Sequence, residues 1–223
     1  MAAAIRSTSS YVSTATETAP VVPVPAGVQN GDVLYMAVYL TASTGSITIP
    51  TGWTALYSNS VPTSSTSSHA SLFRRVASSE PSSYTLTVSS GRVSASMVAL
   101  TGVDTTVPED VTAWQGDSTA GLTATVPSVA ARQSSLYLSW RGGRVLGNGA
   151  VAVWAPDGGE TERVDVGSAV SAVSNSSHTL VSQDVSAGAT GGRLYHPLPR
   201  RRRIFLPARL TWQACRPLHS LLR

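Results

Sequence analysis

The run Gly31–Leu40, GDVLYMAVYL, is apolar at nearly every position and follows turn-forming residues. A strand has two faces, and side chains alternate between them. A run apolar on both faces reads as a strand buried on both sides.

The residues that follow keep a period of two. In GSITIPTGWTALYS, Ile47 and Ile49 alternate in a short strand. A Pro-Thr-Gly turn comes next, and then Trp53, Ala55 and Tyr57 are expected on one face. Ser68–Ser78 forms a further strand, in which the adjacent Arg74 and Arg75 are expected to point one in and one out. Ser82–Ser90 places Tyr84, Leu86 and Val88 on one side, and Arg92–Asp104 is a sixth, apolar strand. Turn formers recur roughly every ten residues, and no segment holds a helical period for long. The expected fold is all-β, an antiparallel sandwich of jelly-roll type.

The second half echoes this order. DVLYMAV (Asp32–Val38) returns as SSLYLSW (Ser134–Trp140), 102 residues on. Pro50 is matched by Pro156, an offset of 106, and SSHASLF (Ser67–Phe73) by SSHTLVS (Ser176–Ser182), an offset of 109. Two alternatives stand: a duplication, with halves 1–110 and 120–192, or the self-likeness of any Ser/Thr-rich β chain. Thr105–Leu122 is the linker. One sandwich over 1–192 is preferred to two domains, because either half alone has few strands to cover its sheet.

The net charge of +4 is unevenly placed. Residues 1–190 hold eight arginines and all twelve acidic residues, a balance of −4, whereas 191–223 hold eight arginines and no acid. Only the tail attracts polyanions. Cys215 is the sole cysteine, so packing rather than disulfides or thiolate-bound metal must hold the body. No apolar run of about 18 residues is present, so no membrane span is expected, and no ordinary signal peptide is visible.

Candidate chemistry is sparse. Asp157, Glu160, Glu162 and Asp165 cluster, and Glu160 and Glu162 are expected on one strand face; paired carboxylates held a few ångströms apart on opposite sides of a sugar could hydrolyse a glycoside. A solvated hairpin explains them equally and is favoured. His69, His178, His196 and His219 lack metal-ligand spacing, no G-x-S-x-G elbow occurs, and GGRVLGNG (Gly142–Gly149) lacks the lysine of a phosphate loop. Asp104, Asp110 and Asp117, with Glu109, are the weak candidates for calcium. No cofactor is expected. Sugar stacking is the better site hypothesis: Trp114 in a polar loop, Trp154 and Tyr137 are the candidate platforms, while Trp53 and Trp140 are assigned to the core.

The tail, 193–223, contains Arg200, Arg201, Arg202 and Arg203. Phosphate binding by these is one reading. Pro197, Pro199, Pro207 and Pro217 argue against an amphipathic helix. A disordered arm, or a segment translated out of frame, fits the abrupt change in composition better, and nucleic acid is disfavoured as a partner.

PVPAGVQNGDVLYMAVYL, ITIPTGWTALYS, LFRRVASSEPSSYTLTVS and ASMVALTGVDTTVPED together resemble a Ser/Thr-rich β-sandwich module of actinobacteriophage minor tail or other virion-surface proteins and of bacterial surface proteins. The likeness spans roughly Pro20–Asp110 and, more weakly, WAPDGGETERVD and SAGATGGRLY. It implies a closing strand after SAGATGGR, where this chain instead reads HPLPRRRRIFLP. It carries no catalytic residues. The function expected is a non-enzymatic virion surface protein with a structural or host-envelope adhesion role. Its partners would be other virion proteins and envelope glycans, and it would form a homo-oligomer. The alternatives are a secreted carbohydrate-binding module and, third, a glycan-cleaving enzyme.

Overall fold

The computed structural model describes residues 3–42, 45–61, 68–109, 112, 136–146, 161–168, 173–184, 204–205 and 214–215. Among them there is no helix. In chain order the strands are β1 (Ala4–Val12), β2 (Val21–Pro23), β3 (Val33–Thr41), β4 (Ile47–Thr48), β5 (Thr54–Val61), β6 (Ser68–Val76) and β7 (Ser83–Thr85). There follow β8 (Thr87–Val88), β9 (Arg92–Thr101), β10 (Leu136–Leu146), β11 (Thr161–Ser168), β12 (Val173–Asp184), β13 (Ile204–Phe205) and β14 (Ala214–Cys215).

The main sheet is antiparallel throughout, in the order β1-β9-β3-β6-β5. β3 lies at its centre and is buried from Val33 to Leu40. Gly31 opens it with φ 86°, a left-handed conformation that glycine adopts without penalty. Leu34, Met36, Val38 and Leu40 enter one apolar cluster with Phe73, Met97, Trp53, Leu86 and Val88. Val33, Tyr35 and Ala37 enter another with Leu72, Val98, Leu100, Leu136, Leu138, Trp140 and Val164. Both faces of the strand are therefore covered, as its composition requires. Each fully buried Leu, Val or Met side chain contributes about 1.5–3 kcal/mol.

The first cluster is closed by two short antiparallel pairs, β2 with β7 and β4 with β8. Tyr84, Leu86 and Val88 all pack on this side, as their alternation predicts. The ladder nevertheless breaks at Leu86, because β7 pairs with β2 and β8 with β4. The second cluster joins the opposite face of the main sheet to β10 and β11. Those strands belong to a second sheet, ordered β11-β12-β10, antiparallel within that part. On its other edge β10 takes two parallel dipeptides, β13 at Leu136–Tyr137 and β14 at Arg144–Val145.

Two sequence expectations are corrected and one is extended. Ile49 is 46% exposed, because β4 ends at Thr48. Tyr57 does not share a face with Trp53 and Ala55: a bulge between Ala55 and Tyr57 turns it toward the second cluster. Arg74 and Arg75 do lie on opposite faces of β6, yet neither is free in solvent, since both are ion-paired. The edge strand β1 was not expected from sequence at all. Its residues AIRSTSSYV carry few large apolar groups, and it is held by pairing with β9.

Candidate functional site

The charged groups of the described body gather into small clusters around the ends of β3 and β6. At the start of β3, Asp32 is only 3% exposed. Its carboxylate accepts hydrogen bonds from Arg6 Nε at 2.6 Å and Arg6 Nη2 at 3.0 Å, and from the Gln29 amide at 2.8 Å. The bond to Asp32 raises the Arg6 pKa, which fixes the cation. This fork ties β1 to the turn that launches β3.

A second cluster links β3, β6 and the segment after β9. The Tyr35 hydroxyl donates to Glu109 Oε1 at 2.9 Å, and Arg74 Nη1 donates to Glu109 Oε2 at 2.5 Å. Burial, followed by the nearby Glu109 charge, pushes the Tyr35 pKa well above its ordinary value. Tyr35 is thus a fixed donor at neutral pH.

The third cluster joins the Pro50–Trp53 turn to β6 and β7. Gly52 has φ 80°, and its carbonyl accepts from Arg75 Nη1 at 3.2 Å. Arg75 Nε donates to Glu80 Oε1 at 2.8 Å, and the Ser78 amide donates to the same oxygen at 2.8 Å. The Tyr84 hydroxyl donates to Glu80 Oε2. Burial raises the Glu80 pKa, but the bonds from Arg75, Tyr84 and Ser78 outweigh it and hold the carboxyl below its usual value. Burial and the Glu80 bond push Tyr84 up to about 12. The Trp53 ring meets Tyr84 edge-on, with centroids 5.3 Å apart, and the Arg75 guanidinium sits 5.8 Å from the Tyr84 centroid. Near the other end of the sheet, the Tyr11 hydroxyl bonds both oxygens of Glu17, at 2.7 and 2.8 Å; burial first, and Glu17 next, raise its pKa to about 12.

These clusters use their donors and acceptors internally. Asp32, Glu80 and Glu109 are each matched to one arginine. Glu80, held ionised against Arg75, is a poor proton shuttle near pH 7. The arrangement clamps loops to strands. Sequence reasoning did not find the Arg6–Asp32 or Arg74–Glu109 pairs, because both join segments far apart in the chain. Only the paired arginines of β6 hinted at carboxylate partners.

The residues singled out for chemistry fare as follows. Trp53 and Trp140 are buried, as assigned. Asp104 forms a local turn: its Oδ1 accepts from the Thr106 amide at 2.9 Å and the Thr106 hydroxyl at 2.6 Å. Among the described residues no three His, Cys, Asp or Glu side chains gather as metal ligands. Glu162 is exposed on β11, and Asp165 lies three residues further along the same strand. Tyr137 lies in β10, where its backbone pairs with Gln183 and Phe205. Its side chain lies outside the described residues, as do Trp114, Trp154, Asp110, Asp117, Asp157, Glu160 and Arg200, Arg201, Arg202 and Arg203. Burial lowers the pKa of His69, which keeps that imidazole neutral at pH 7.

No protein-family model, no curated protein and no solved structure matches the chain.

Proposed function

We propose that the chain is a non-enzymatic β-sandwich module displayed on a phage virion, as a minor tail or decoration protein with a structural or host-envelope adhesion role. One observation carries this reading. The residues that bear the resemblance to virion-surface modules, Gly31-Asp32, Gly52-Trp53, Arg75, Glu80 and Tyr84, are all engaged in clamping loops onto the main sheet. Their chemistry is used for rigidity, which suits a module that meets its surroundings as a fixed surface. The sandwich assignment is supported by the apolar cluster that joins β3, β6 and β9 to β10 and β11. On this reading the partners are other virion proteins and cell-envelope glycans, and the working form is a homo-oligomer.

The test is to purify particles released from lysed host cells carrying the gene, and to probe them by mass spectrometry and immunogold labelling. The chain is expected in the particles at constant stoichiometry, with label on the exterior. Absence from particles, with saturable glycan binding by the free protein that is lost on Trp114→Ala, would establish the secreted carbohydrate-binding alternative instead. Hydrolysis of a glycan abolished by Glu160→Gln would establish an enzyme.

A further inference from the structure

The turn that launches β3 contains the dipeptide Asn30-Gly31, and both residues are exposed. Asparagine before glycine is open to a spontaneous reaction, because glycine has no Cβ to hinder its own amide nitrogen. In that reaction the Gly31 nitrogen attacks the side-chain carbon Cγ of Asn30. A new C–N bond closes a succinimide ring, and the bond from Cγ to Nδ2 breaks. The proton of the attacking nitrogen leaves with Nδ2 as ammonia. Water then opens the ring, at one carbonyl to give aspartate and at the other to give isoaspartate. Solvent water is the only co-reactant.

The fold withholds the nucleophile. The Gly31 amide donates to the Ala77 carbonyl at 2.9 Å, and the Ala77 amide donates back to the Asp32 carbonyl at 2.8 Å. An amide that spends its proton in this way is a poor nucleophile while the bond lasts. The turn is closed by the Asp32 amide, which donates to the Gln29 carbonyl at 3.0 Å, with Gly31 in its third position at φ 86°. A type II turn has this form, and it holds the Asn30 main chain extended, so ring closure requires the turn to open. The side chain is held as well: Asn30 Oδ1 accepts from the Ser79 amide at 2.8 Å. Ser79 has φ 53°, the one positive value at a non-glycine residue among the described residues. The segment that restrains Asn30-Gly31 is thus itself a strained, exposed turn, of the kind that opens locally before the sheet does.

We propose that Asn30-Gly31 is a spontaneous modification site, gated by opening of the turn 77–80, and that its isoaspartate product unfastens the start of β3. The two products differ in their effect. Aspartate keeps an acceptor for the Ser79 amide. Isoaspartate routes the main chain through Cβ and Cγ and so adds one carbon between Gln29 and Asp32. Those two residues are tied twice, by the Asp32 amide to the Gln29 carbonyl and by the Gln29 amide to the Asp32 carboxylate at 2.8 Å. Asp32 also carries the fork from Arg6. A longer main chain displaces these ties, and the change is one-way. The inference is independent of the virion reading.

The experiment incubates the full chain at mildly alkaline pH, once native and once unfolded in urea. Peptides that contain Asn30 are followed by mass spectrometry, and isoaspartate is identified by labelling with an isoaspartyl methyltransferase. Asn148-Gly149, the other such pair in the sequence, is the chemical reference in urea. In urea Asn30 is expected to convert at a rate close to that of Asn148, and in the native chain at least about tenfold more slowly. Glu80→Ala removes the acceptor of the Ser78 amide, Arg75 and Tyr84, and is expected to speed native conversion severalfold while hydrogen exchange shows β3 still protected. The chain carrying isoaspartate at position 30 is expected to unfold at lower urea than the Asn30→Asp variant. No conversion of Asn30 in urea would overturn the site itself. Equal rates in the native and unfolded chain would overturn the gate, as would an unchanged rate in folded Glu80→Ala. Equal urea midpoints for the isoaspartate chain and Asn30→Asp would overturn the unfastening. The comparison of native with unfolded chain needs no variant, so it decides the gate even if Glu80→Ala does not fold.

Discussion

Arg75 donates from Nε to Glu80 Oε1 across 2.8 Å, and the carboxylate it meets is only 5% exposed. Five residues separate the two in sequence, and the turn between them brings β6 back toward β7. The pair matters because Glu80 is ionised there: the bonds from Arg75, Tyr84 and Ser78 hold its folded pKa below the usual glutamate value. A lowered carboxylate pKa contributes stability above the unfolded pKa and loses it as pH falls through the folded value. Stability is thus expected to be flat from neutrality to about pH 5 and to decline below about 4.5. Glu80→Gln should remove about 1–3 kcal/mol at pH 7 and shrink the acid-side decline. Urea unfolding at pH 7 and pH 3.5 measures both. An equal loss at the two pH values would contradict the assignment.

Gly52 is placed where two demands coincide. Its φ of 80° is costly for any residue with a Cβ, and a Cβ there would run into the Arg75 guanidinium. Gly52→Ala is expected to destabilise by about 1–3 kcal/mol. Arg75 is a flexible side chain and can retreat, so Gly52→Ala combined with Arg75→Ala should cost less than the sum of the single changes. A double-mutant cycle in urea reads the coupling, and strict additivity would show that the two do not touch.

Glu109 accepts from two donors at once, the buried Tyr35 and the half-buried Arg74. Removing it by Glu109→Ala leaves the Tyr35 hydroxyl, on a fully buried residue, without its acceptor, and leaves Arg74 without its counter-ion. The expected loss is about 1–3 kcal/mol or more. Tyr35→Phe in the Glu109→Ala background should recover part of it, because the orphaned hydroxyl is then gone. Thermal melting of the single and double variants gives the answer. If Tyr35→Phe lowers stability further in that background, the hydroxyl has another partner.

What the sequence made plain was local. β3, β6 and β9 are legible because their apolar runs satisfy the strand period over nine or ten residues. The face of Tyr57 was not, since a bulge is a property of two strands pairing and leaves no mark on one strand's pattern. β1 stayed hidden for a related reason: only Ile5 and Tyr11 pack against the apolar clusters, while Ser7 and Ser9 give their hydroxyls to the carbonyls of Ala26 and Pro23, so its sequence shows no apolar run. The clamps of Asp32 and Glu109 depend on partners 26 and 35 residues away, and nothing in the chain states which arginine each will meet.

Among the described residues Trp140 is the largest fully buried side chain, at 1% exposure, and its ring lies 6.1 Å from that of Tyr35, tilted by 47°. Tyr35 belongs to β3 and Trp140 to β10, so this contact joins the two sheets through the second apolar cluster. Trp140→Ala is expected to cost about 3–5 kcal/mol, as for other large-to-small changes in a packed core. The informative measurement is where the loss falls. If the cluster couples the sheets, amides of β3 will exchange faster in Trp140→Ala although β3 keeps all its own strand partners. Phe73→Ala, in the opposite cluster, serves as the comparison, because it too borders β3 while the β10 residues Leu136, Leu138 and Trp140 belong to the other cluster. Faster exchange in β10–β12 with β3 unchanged would mean that the second sheet opens alone and that the cluster between them carries little of the stability.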